Sequence, residues 1–216
     1  MLGAVKRRRS PREVVRQARR DVQRQHLLDA AERVFAARGY DATRMQHVAG
    51  EAGLAIATVY GIVGSKQALY AEVHRARGRE LLERAMAATV GAGSAFAALL
   101  EGVKGYAEYL LAHPDYLRLH LQESQPWALH PRFTSADQGR LWREGLELTV
   151  TVFQAAIAEG SVIDESPALL GRLMIAAHQV FLGEWVAQGM KERPEAVVAR
   201  MQQHVERAFA TRRRNR

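Results

Sequence analysis

The stretch "AGLAIATVYGIVGSK", residues 52–66, decides how the chain is read. It is too short and too apolar to be an independent element. Glycines 53 and 64 bracket it, and Ser65-Lys66 follows. Upstream, Thr43 and Gln46 have the spacing of a capping box, in which each side chain satisfies the other residue's backbone N–H. Ala49 is small where two helices would cross. Gly53, four residues on, suits a turn that requires positive φ. Val59, six residues later, packs back on the first helix, and Val48, Ala52, Leu54 and Ile62 fill the remaining interior places. Residues 43–62 are therefore expected to be two short helices joined by a tight turn, the second anchored from behind and presented outward.

Working outward, "HLLDAAERVFAARGY" places Leu27, Leu28, Ala31, Val34 and Phe35 on one face of a helix that Gly39 should stop. Ser65 has the position of an N-cap for a long helix over 66–89. Glycines 91 and 93 mark the next expected break.

The segment "LLDAAERVFAARGYDATRMQHVAGEAGLAIATVYGIVGSKQAL" (27–69) resembles the N-terminal DNA-binding domain of the TetR family of transcriptional regulators. The matching pieces are Phe35-Ala36 with Gly39-Tyr40, Ala42-Thr43, Val48-Ala49, Ala52-Gly53-Leu54, Thr58-Val59-Tyr60, and Ser65-Lys66 with Leu69. The resemblance implies an all-α chain: a three-helix helix-turn-helix domain, then a C-terminal helical bundle that binds a ligand and dimerises. It also implies two reading heads on one palindromic operator. On this reading residues 1–24 are a basic arm, 25–70 the DNA-binding domain and 71–90 a connecting helix. Residues 91–211 form the ligand-binding and dimerisation domain, and 212–216 a basic tail.

Carried over position by position, Thr43, Thr58, Tyr60 and Lys66 fall where the family contacts phosphates. Hydroxyls and an ammonium at helix N-termini suit phosphate oxygens. Arg44 and Gln46 could reach base edges or phosphates. The family's usual serine at the start of the reading helix is Ala55 here, and Ile56 stands at a commonly polar position. Gly61 and Val63 replace bulkier residues. Ala55, Ile56 and Ala57 are therefore expected to make apolar contacts with thymine methyls, and polar readout shifts to Arg44, Gln46, Thr58 and the arm.

The charge distribution agrees with a polyanionic partner. The 216 residues carry a formal charge of +8. Residues 1–24 hold nine Lys/Arg and two Asp/Glu, from Lys6 to Arg24, whereas residues 90–211 hold ten and fourteen. A basic front suits DNA, and a solvated tail would give the same count. A non-specific, nucleoid-type DNA binder using both basic ends is the alternative function. No cysteine is present, which excludes thiolate metal sites and disulfides and fits a cytoplasmic protein. No apolar run is long enough to cross a bilayer. The eight histidines are scattered, and no H-E-x-x-H or phosphate-loop motif occurs. Neither an enzyme nor a cofactor is expected; His120 with nearby Glu123 is the one pair with a catalytic look, and an ion pair explains it as well.

The second half reads as helices over roughly 94–112, 115–124, 137–159, 167–189 and 194–211. Leu169, Leu173, Ala176, Ala177 and Val180 make one stripe. Val197, Val198, Met201, Val205, Ala208 and Phe209 make another. Two such helices from each protomer can form a four-helix homodimer interface, and an intrachain core would show the same periodicity. Tyr106, Trp127, Trp142, Phe153, Met174, His178 and Phe181 supply apolar walls with a few polar atoms. That suits a small hydrophobic or amphipathic effector, and equally an ordinary core. The function implied is a repressor released from its operator by such a molecule.

Overall fold

The computed structural model describes residues 10–122 and 136–211. Among them there are nine helices and no strand. They are α1 (Pro11–Ala42), α2 (Met45–Glu51), α3 (Ile56–Val63), α4 (Lys66–Thr89), α5 (Ala95–Ala112), α6 (Pro114–Gln122), α7 (Ala136–Ala158), α8 (Pro167–Ala187) and α9 (Pro194–Phe209). The chain divides into two compact units, with the division between Val73 and His74, inside α4. Most of α4 belongs to the second unit, and at Gly91–Gly93, the expected break, the chain turns from α4 into α5. No helix of the described residues is long and apolar enough to cross a membrane.

The first unit is built on Leu27, Ala31 and Phe35 of α1, all fully buried. Phe35 meets the Tyr70 ring edge-on at 4.9 Å, and Tyr40 meets it at 4.8 Å. α1 begins at Pro11, fifteen residues before His26, where the apolar pattern starts. Ser10 accepts from the Glu13 N–H at 3.3 Å, and the Glu13 carboxylate accepts from the Ser10 N–H at 2.7 Å. With Pro11 in the first turn, that reciprocal pair fixes the helix start. The sequence Ser-Pro-x-Glu carried this signal in plain sight. Residues 12–22 are exposed on every side, so this part of α1 is held by its own hydrogen bonds and its cap. At Gly39 the backbone leaves helical geometry (φ 74°), the interruption expected there.

In the second unit α9 packs against α5 and α8, and α7 against α5 and α8. The interior holds Leu110, Leu117, Phe153, Leu170, Leu182, Met201 and Val205. Gly105 is where α5 crosses α4. A β-carbon there would fall 2.8 Å from Ala88 Cβ and 2.9 Å from the Arg84 carbonyl oxygen, so only glycine permits the approach. The end of α9 is tied to the α7–α8 connection by Ile163 N–H to the Phe209 carbonyl and Thr211 N–H to the Ser161 carbonyl.

Candidate nucleic-acid interface and internal cavity

α2 and α3 are set by their burial pattern. Val48, Ala49, Ala52, Val59 and Val63 are buried, each removing about 1–2 kcal/mol worth of apolar surface from water according to size. Between the helices Gly53 takes φ 61°, and the Leu54 N–H reaches back to the Ala49 carbonyl at 2.9 Å. His26 of α1 clamps the turn from outside, its Nε2 lying 3.1 Å from the Ala52 carbonyl oxygen. The opposite face is open. Arg44, Gln46, Ala55, Ala57 and Tyr60 are exposed, Ile56 is 37% exposed, and Thr58 is partly so. A helix buried on its Val59–Val63 side and bare on its Ile56–Tyr60 side has the form of a probe.

Three residues expected to face DNA are occupied within the unit. Thr43 is only 1% exposed, and its hydroxyl donates to the Gly39 carbonyl at 2.7 Å. It neither caps α2 nor is free for a phosphate. The N-cap is Arg44, whose N–H donates to His47 Nδ1 at 3.2 Å. Lys66 also differs from expectation. Its ammonium donates to the carbonyls of Tyr40 (2.8 Å), Thr43 (3.0 Å) and Asp41 (3.4 Å), and lies 4.3 Å from the Tyr40 ring centre. All three N–H groups are consumed, so Lys66 is a clasp that neutralises the exposed carbonyls ending α1. Arg24, counted with the arm, pairs through its guanidinium with Glu72 and donates to the Ile62 carbonyl at 3.0 Å. It steadies the C-terminal end of α3.

At the N-terminus of α3, Ala55 is the cap and offers no side-chain acceptor. Ala55→Ser should supply one and stabilise the first unit by about 1 kcal/mol. The check is a chemical denaturation midpoint that shifts upward without a change in slope.

Residues 27–73 match the family of bacterial regulatory proteins, tetR family. Residues 27–73 are a TetR-family helix-turn-helix domain. In overall fold the chain is similar to several solved structures. FadR from Bacillus subtilis, in complex with stearoyl-CoA, is 17% identical with a TM-score of 0.70, over 83% of this chain and 95% of that one. The ketosteroid transcriptional regulator KstR2 of Mycobacterium tuberculosis is 22% identical, TM-score 0.69, over 88% and 95%. The TetR family regulator PfmR from Thermus thermophilus is 20% identical, TM-score 0.67, over 84% and 97%. At these identities the likeness is one of fold. No curated protein matches the chain.

Beyond the TetR-type domain, the second unit holds a cavity of about 520 Å³ walled by α4, α5, α6, α7 and α8, open to solvent on the side of the exposed Met86 and Val90. Of the expected lining residues, Tyr106, Trp142, Met174 and His178 border it. Phe153 does not: it is fully buried edge-on against Phe209, the centroids 5.3 Å apart. Phe181 does not either, because it faces His204 and the Arg200 guanidinium. Trp127 lies outside the described residues, as do Glu123, residues 1–9 and the tail at 212–216. Tyr116 of α6 also borders the cavity, and sequence reasoning missed His74, Gly78, Leu81 and His120.

The two stripes assigned to a dimer interface have different fates. Val198, Met201, Val205 and Phe209 of α9 are buried within the chain, with Gln202 bonded to the Leu100 carbonyl of α5 at 3.0 Å. They form intrachain core and are not free to meet a second protomer. On α8, Leu169, Leu173 (50% exposed) and Val180 (71% exposed) stay uncovered, and Ala177 is half-buried at the edge of this face. Leu169, Leu173, Ala176, Val180, Gly183 and Ala187 follow one another at alternating four- and three-residue steps, the spacing of a helix–helix seam.

Proposed function

We propose that the protein is a ligand-responsive, sequence-specific transcriptional regulator: a homodimer that represses from a palindromic operator and is released by a small molecule. The observation that carries this reading is α3, buried through Val59 and Val63 and bare at Ile56 and Tyr60. Its exposed groups are mostly apolar, which suits thymine methyls, while Arg44 and Gln46 beside it suit guanine and adenine edges. The exposed start of α1 adds Arg12, Arg16, Arg19 and Arg20, a basic stripe suited to phosphates or the adjacent minor groove. The bare α8 seam supports pairing of two protomers, and so does the need for two heads on one site. α4 begins at the Lys66 clasp and continues into the cavity wall, so a ligand that shifts α4 has a route to the reading head. A typical coupling of that kind is about 1–3 kcal/mol.

Selecting bound sequences from random duplex DNA tests the reading. A palindrome favoured by roughly a thousandfold or more over random DNA supports a regulator. Binding without a preferred sequence would instead make the protein a nucleoid-type binder. On the selected operator, Arg44→Ala should cost about 1–3 kcal/mol and relax preference at one base pair of each half-site. A uniform loss across sequences would reassign Arg44 to a phosphate.

A further inference from the structure

The cavity in the second unit is lined by rings on one side. His74 lies 5.8 Å from Tyr116, Tyr116 lies 5.7 Å from His120, and Tyr106 stacks on His178 at 5.5 Å. The Tyr106 hydroxyl and His120 Nε2 are 3.3 Å apart, which joins the two groups. The rest of the wall is mostly aliphatic, with Leu81, Leu99 and Val152 among its members, together with Trp142 and three threonines. Among the described residues, no Asp, Glu, Lys or Arg borders the space.

The polar atoms that do border it are mostly spoken for. Thr89, Thr149 and Thr151 donate to carbonyls of their own helices, those of Met86, Gly145 and Glu147, at 2.8–2.9 Å. His178 differs. Its side chain is 4% exposed, and its Nε2 has no hydrogen-bond partner among the described residues. A buried imidazole nitrogen without a partner is costly, and a ligand oxygen placed against it removes that cost. A charged ligand group at the buried His178 end would meet a low-dielectric wall with no fixed counter-charge. Protonating His178 to supply one is opposed by burial, and secondarily by nearby His204, which together hold its pKa at about 3.

We propose that this cavity takes an uncharged, largely apolar molecule bearing one hydroxyl or carbonyl oxygen, which hydrogen-bonds to His178 Nε2 beside the Tyr106–His120 pair. A hydroxyl satisfies either tautomer of His178, and a carbonyl satisfies the Nε2–H form. The ligand class deepens the effector reading above and rests on it only for its consequence at DNA.

Calorimetry on the full-length protein without DNA tests the proposal. The probes are two matched sets: 1-dodecanol, 2-dodecanone, dodecanoate and dodecylamine, and the corresponding 2-decalol, 2-decalone, decalin-2-carboxylate and decalin-2-amine. In at least one set the alcohol or ketone should bind at least about tenfold tighter than the acid and the amine. His178→Phe should abolish most of the advantage of the alcohol over its methyl ether, whereas His178→Gln, which keeps a donor and an acceptor, should retain it. Circular dichroism establishes that both variants fold. The proposal is overturned if the acid or amine binds as tightly as the neutral partner, if no neutral probe binds, or if both variants behave like the parent. Release from the selected operator is measured separately. Neutral-probe binding without release keeps the ligand class and removes the effector role; release driven by the charged probes does the reverse.

Discussion

Val180→Glu is expected to separate the protomers while leaving each one folded, and to lower affinity for a palindromic operator by about a hundredfold or more. The reasoning starts from exposure. Val180 is 71% exposed on the single chain, so a carboxylate there faces water and disturbs no intrachain packing. In a two-fold pair of α8 helices it would meet apolar surface and, near the axis, its own copy. An unpaired charge buried in that way costs about 3–5 kcal/mol. Losing the pair turns one bivalent encounter with DNA into two weak ones. Val198→Glu is the contrasting variant. Val198 is 6% exposed inside the α9 core, so a charge there should unfold the second unit instead of producing a folded monomer. Sedimentation at micromolar concentration and operator titration decide the matter. A Val180→Glu protein that remains dimeric with undiminished operator affinity would remove α8 from the interface.

The pair of variants also exposes the limit of the sequence. Periodicity in α8 and α9 says that each has a face to bury, and it does not say against what. Both stripes look alike on paper, yet one is consumed by α5 and α8 and the other is left bare. The same limit applies at the reading head. The interior set Val48, Ala52 and Val59 was legible because helix spacing forces those positions together. The fate of Thr43 and Lys66 was not, because hydroxyl and ammonium groups choose partners by local backbone geometry. Here the irregular carbonyls from Gly39 onward draw both inward. The cavity was legible only in part for a third reason. Its volume depends on side chains that are missing: Gly78, Gly102 and Gly145 line it, and a β-carbon on Gly78 would already lie 3.0 Å from Leu141 Cδ1. An apolar pattern records atoms that are present, so a space left by glycines does not register in it.

The second large effect is on stability in acid. His74, His120 and His178 each have a pKa pushed down to about 3, in every case chiefly by burial. His120 is lowered further by its neighbour His74, and His178 by His204. In the unfolded chain a histidine titrates near 6.5. Between about pH 3 and 6.5 the unfolded state therefore binds more protons than the folded one, and stability rises with pH through that window. Stability is fully present above 6.5 and is lost as the pH falls towards 3. From pH 7 to pH 5, His74 and His178, both buried, should each withdraw about 2 kcal/mol, and the half-buried His120 somewhat less. A loss on the order of 4–5 kcal/mol is a large part of the 5–15 kcal/mol typical of a folded domain. Glu13 and Glu80 have lowered pKa values, so their contributions fall away only below the ordinary carboxylate value of about 4.5 and do not mask the histidines. The measurement has a built-in reporter. Trp142 and Trp185 lie in the second unit, and residues 1–73 contain no tryptophan, so tryptophan fluorescence in a denaturant titration follows the unit that holds these histidines. The midpoint should fall steeply between pH 6.5 and 5, and His178→Gln should remove roughly a third to a half of the slope. A midpoint unchanged across that range would mean that these rings take up protons in the folded protein, which their burial in the cavity wall forbids.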